Sequence, residues 1–175
     1  MASHQFNLEH IALLNRGQAE CEALVADHFR IPALPSSLYP YEIATRSELN
    51  QGERSRSALA HLVIYQRERP KGSRVEHLYR VCLMDDLILE RAQEEPDDWL
   101  RSLLCYIMTH ELIHVVRFCR QEQSYNLSTQ LREEEERRVH RLTMELLAER
   151  GLPGQQRLDQ LWGIDRFTLE PRGPA

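Results

Sequence analysis

Leu100-Arg-Ser-Leu-Leu-Cys-Tyr-Ile-Met-Thr-His-Glu-Leu-Ile-His-Val-Val-Arg-Phe-Cys119 places apolar residues on every side of a helical wheel. A helix of that kind is buried nearly all round, so it forms the centre of the fold that contains it. Within it, His110-Glu111-Leu112-Ile113-His114 sets two imidazoles four residues apart, slightly more than one helical turn. Both rings therefore share a face with Leu103, Ile107 and Phe118, and there both leave water. An uncompensated buried polar group costs free energy, and a bound metal removes that cost. Pro96 followed by Asp97 and Asp98 is a start signal with acid in the first turn, which predicts one helix over residues 97–120.

A His-Glu-x-x-His segment on a helix carries the chemistry of a hydrolytic zinc site. The two rings reach one ion at about 2.0–2.1 Å, while Glu111, roughly 100° round the wheel, can hold a water on that ion without ligating it. Catalytic zinc usually takes three protein ligands and keeps one open position, so a third ligand is required. The metzincin pattern supplies a Gly and a His three and six residues after the second His; Arg117 and Arg120 stand there and exclude it. A ferritin-like di-iron site needs a second Glu-x-x-His helix, and no other histidine has an acidic residue three positions before it.

A Glu from a second helix is the remaining arrangement, and Glu133, Glu134, Glu135 and Glu136 lie at a suitable distance. Glu133 and Glu134 precede Arg137 and Arg138 by four, the order of solvent-exposed ion pairs. Glu135 and Glu136 flank the apolar face of Val139, Leu142, Thr143, Leu146 and Leu147, so one of the two is expected to turn inward. With His110, Glu111 and His114, the segment Glu136-Arg-Arg-Val-His140 resembles the gluzincin group of zinc peptidases, the thermolysin and HtpX types, over about thirty residues of the chain. The resemblance implies a zincin-like layout with His110, His114 and Glu136 as zinc ligands and Glu111 as general base. It also marks a departure, since His140 stands where those families carry Asp. A His there can ligate in place of Glu136, stabilise a substrate oxyanion or hydrogen-bond to the site.

The chain has 175 residues, which suits one domain over residues 1–170 followed by a Pro/Gly-rich flexible tail over 171–175. A core of that size does not depend on a metal for its existence. A net charge of −5 with a pI near 5.9 gives no drive toward nucleic acid or anionic membranes, so neither is an expected partner. Cys21, Cys82, Cys105 and Cys119 show no Cys-x-x-Cys spacing, and no basic, then apolar leader is visible, which together imply a reducing, cytoplasmic setting. His110, Glu111, His114 and Arg117 interrupt the apolar helix before it reaches the eighteen or so residues of a membrane span.

The expected architecture is α+β: a small, mostly antiparallel sheet packed on the buried motif helix, with a second helix delivering Glu136. An amphipathic helix over residues 16–29 is expected to cover the sheet, and residues 42–46 read as a short extended segment. Residues 58–65 and 75–84 read as an antiparallel pair joined by a turn at 69–73, with Leu87-Ile-Leu89 extending the second strand or opening another turn. His61 and His77 on these strands read as ordinary strand residues. Gly151-Leu-Pro-Gly154 ends the Glu136 helix, and a short helix to Trp162 follows.

The expected function is zinc-dependent hydrolysis of peptide bonds in a peptide or protein, with Glu111 moving the proton. His140 is the foremost expected oxyanion donor, ahead of Tyr106 and Tyr125. Two other readings compete: a metal-stabilised binding module without turnover, and a metal-free helical interaction protein whose histidines are satisfied by Glu135 or Glu136. Two His and one carboxylate with open positions also suit Fe(II). Oligomeric state has no signal in the sequence.

Overall fold

The computed structural model describes residues 5–67, 76–93, 99–124, 127–152, 154 and 157–158. Its elements are helix α1 (Leu8–Phe29), strand β1 (Tyr41–Ala44), strands β2 (Ala60–Arg67) and β3 (Glu76–Leu83), and helices α2 (Asp85–Gln93), α3 (Trp99–Cys119) and α4 (Thr129–Ala148). A 3-10 turn over Gln51–Glu53 lies between β1 and β2. The expected turn at 69–73, the start signal at Pro96-Asp97-Asp98, Tyr125, residues 159–162 of the short helix as far as Trp162 and the tail lie outside the described residues; Arg157 and Leu158 are helical.

α3 is the axis of the molecule. Every residue from Ser102 to Phe118 is buried, as its all-round apolar sequence requires. α1, α2, α4 and β2 all pack against it. The sheet has the order β1-β3-β2, so the fold is α+β with a three-stranded mixed sheet. The longer pairing, β2 with β3, is antiparallel from Ala60↔Leu83 to Arg67↔Glu76. β1 is parallel to β3, with Tyr41 opposite Tyr79 and Ala44 opposite Cys82. Alternation then sorts the strands into two faces. Ala60, Leu62, Tyr79, Val81 and Leu83 join the main core with α3, while Val63, Cys82, Met84, Ala44 and Leu49 form a smaller cluster on the other face.

Two expectations are corrected. The first helix is longer than residues 16–29 and packs chiefly on α3, meeting the sheet at Tyr41, whose hydroxyl donates to Glu22. Its buried positions Leu14, Gly17, Cys21 and Val25 form one stripe with small residues at its middle, which lets the backbone approach Cys105 on α3. Asn7 starts the helix with a capping box, its side chain accepting from His10 N at 2.9 Å. Leu87-Ile-Leu89 belongs to helix α2 and not to a strand. Asp85 and Asp86 occupy its first turn, where negative charge is favoured, and the Asp85 carboxylate accepts from Arg46 N at 2.9 Å and Phe6 N at 3.1 Å.

Candidate metal centre

α4 begins at Ser128, whose hydroxyl accepts from Leu131 N, and buries Glu135, Glu136, Val139, His140, Thr143 and Leu147. That stripe faces α3, so both inner glutamates turn inward, where the sequence pointed to one. Glu133 stays at the surface, 3.8 Å from Arg137. Glu134 is also exposed and accepts from Gln130 within its own helix.

The structure brings His110, His114 and Glu136 together as a buried group able to hold a metal ion, and places neither Glu135 nor His140 in that group. His110 Nε2 and His114 Nε2 lie 3.1 Å apart. Glu136 Oε2 is 3.2 Å from the first and 3.4 Å from the second. A tetrahedral ion with bonds of 2.0–2.1 Å has ligand-to-ligand edges of about 3.3–3.4 Å, so the three atoms outline one face of such a coordination shell. The residues present fit the group.

The electrostatics of the cluster also favour a cation. Burial would raise Glu136, but His114 and His110 outweigh it and hold its carboxyl down at about 2. Burial pushes His110 down to about 4, keeping that ring neutral at pH 7. Burial opposes charge on His114 too, yet Glu136, Glu111 and the hydrogen bond it donates to Gln123 prevail and lift it to about 9. Without a metal, one proton on His114 thus sits among the three ligand atoms and supplies the positive charge they require.

Glu111 is 2 % exposed on the same helix, and burial lifts its carboxyl to about 8 against the opposing pull of His114. A cation among the ligands acts in the same direction as His114 and favours the carboxylate. His140 is buried, and its Nδ1 shares a 2.7 Å hydrogen bond with the Tyr106 hydroxyl. The Tyr106 ring in turn lies 5.9 Å from that of His110, so this pair ties α4 to α3 beside the first ligand. His61, set aside in the sequence, is buried on β2 directly opposite Cys82 and is not in the metal-holding group.

Two residues beside the site were not foreseen. Gln123 lies with its amide oxygen 2.9 Å from His114 Nδ1. Arg117, read from sequence as an exclusion of the metzincin pattern and an interruption of the apolar helix, pairs with Glu135 at 2.5 Å. The signal for Arg117 was present, because a guanidinium on a helix buried all round requires a carboxylate partner. Gln123 carried no comparable signal.

No family model, curated protein or solved structure matches the chain. No helix among the described residues is long and apolar enough to cross a membrane.

Proposed function

We propose that the protein is a zinc-dependent peptidase whose ligands are His110, His114 and Glu136. The observation that carries this reading is the triangle of 3.1, 3.2 and 3.4 Å between ligand atoms, with Glu111 buried next to it. Zinc bound there supplies Lewis acidity, lowering the pKa of a water toward 7 and polarising a carbonyl. Glu111 accepts the water proton and passes it to the leaving amine, a task suited to a carboxyl whose pKa burial has moved toward neutrality. His140, oriented by Tyr106, donates to the developing oxyanion. β2 is an edge strand packed against α3, so an extended peptide can pair with it and present its backbone beside the motif helix. The reducing, cytoplasmic setting read from the cysteines belongs to the same proposal; all four are free.

One observation favours a second reading, a metal-stabilised binding module without turnover. His110, Glu111 and His114 are at most 2 % exposed, and Glu136 is 7 % exposed, which suits a closed structural site. Metal analysis combined with Glu111→Gln decides between them. The peptidase reading expects about one zinc per chain in both wild type and variant. It further expects cleavage of a peptide library by wild type, reduced at least about a hundredfold in the variant. Zinc retained in both without Glu111-dependent cleavage establishes the module, and no metal in wild type overturns both readings.

A further inference from the structure

The turn after α3 carries one side chain, Gln123, onto a residue of the metal-holding group, and a second side chain, Arg117 on α3, fastens that turn. The chain leaves α3 through Gln121, whose φ of 58° lies in the left-handed region. Gln121 N donates to Phe118 O at 3.0 Å and Glu122 N to Arg117 O at 2.9 Å, which reverses the chain and returns Gln123 to the helix. Gln123 is 7 % exposed, and its Nε2 makes no hydrogen bond among the described residues. Its side-chain polar contact is therefore the one through Oε1 to His114 Nδ1.

Arg117 fastens the same turn. Its Nη1 donates to Glu122 Oε2 at 3.0 Å and its Nη2 to the Glu122 carbonyl at 3.4 Å. Its Nε and Nη2 also donate to the two oxygens of Glu135, at 2.5 and 3.2 Å. Glu135 directly precedes the ligand Glu136. One buried, planar fork thus joins α3, the turn holding Gln123 and the helix holding the third ligand.

We infer that Gln123 and Arg117 are positioning residues of the metal centre, Gln123 fixing the ring of His114 and Arg117 fixing both Gln123 and Glu136. A ligating imidazole presents the lone pair of one nitrogen, so its proton resides on the other, and an acceptor there sets the tautomer and the ring plane. With Nε2 turned to His110 and Glu136, the proton of His114 belongs on Nδ1, where Gln123 accepts it. A neutral carboxamide does this without adding a third carboxylate to a site that already holds Glu111 and Glu136.

The inference rests on His114 being a ligand, and zinc affinity of the full chain, measured by competition with a chromogenic chelator, separates the two claims. A wild-type chain that binds no zinc overturns the ligand assignment itself before any variant is made. If wild type binds, Gln123→Leu weakens affinity by about 10- to 100-fold, while Gln123→Glu, which keeps an acceptor for His114 Nδ1, binds zinc more tightly than Gln123→Leu. Arg117→Met combined with Glu135→Leu removes the buried pair without stranding a charge and weakens zinc by a similar factor. Wild-type affinity in either variant overturns the role given to that residue. Should Gln123→Leu fail to fold, 15N NMR of the zinc-loaded wild type serves instead. A His114 proton on Nδ1 protected from solvent supports the assignment, and a proton on Nε2 overturns it.

Discussion

At the scale of single residues, the proton on His114 and a metal ion compete for the same space. Below about pH 9 that proton must leave before Nε2 can ligate, whereas His110 is already neutral and Glu136 already ionised at pH 7. On the zinc reading, affinity should therefore rise with pH until about 9 and level off beyond it. In Glu111→Gln, where the carboxyl's own titration is gone, calorimetry in buffers of different protonation enthalpy should register about one proton released per zinc at pH 6, below the range in which a zinc-bound water ionises. A release near zero at that pH would mean that His114 is neutral without metal. Linkage gives the matching sign for the metal-free fold. Charged His114 stabilises it fully below the ordinary histidine value of about 6.5, and that contribution fades as pH rises through about 9.

At the scale of elements, α1 and α3 meet through small residues. Gly17 is buried inside α1, and a methyl group built on it would lie 3.6 Å from Cys105 Sγ, an ordinary contact distance. Gly17→Ala thus keeps the interface while restricting the unfolded chain. It should stabilise the protein by about 0.5–1 kcal/mol in denaturant titrations, and a loss of stability would show that the two helices cannot yield even slightly there. α3 was legible as a buried axis because its apolar residues cover the whole wheel. α4 was legible as the helix that brings a glutamate to the two histidines because Val139, Thr143 and Leu147 define a stripe beside Glu136. The packing of α1 was not, since amphipathicity states that a face is buried without naming what buries it. The turn at Gln121–Gln123 was illegible for a different reason. It depends on a left-handed non-glycine residue and on hydrogen bonds from an arginine whose main partner is eighteen positions away.

At the scale of the molecule, the group able to hold a metal sits where α3 and α4 join, while the hydrophobic core continues on both sides of α3. The fold should therefore survive loss of metal and be stabilised by its return. Zinc at a hundred times its dissociation constant adds about 2.7 kcal/mol to unfolding. A chelator should remove that increment from wild type and leave Glu136→Gln unchanged, as read by thermal unfolding with and without EDTA. Cooperative unfolding lost on chelation would show that the core needs the ion.

Four consecutive glutamates at the start of α4 create an ambiguity that ligand chemistry alone does not resolve. Any of them offers a carboxylate, and sliding the helix by one residue would present a different one to the ion. The Arg117 fork does not by itself remove the degeneracy, since it donates to Glu135 at 2.5 Å and a slip by one residue would offer it Glu134 instead. What such a slip cannot keep is the fully buried Val139: Arg138 would take its place, and a charge buried there without a partner costs several kcal/mol. Val139 thus acts as an index mark that selects one glutamate from a run of equals.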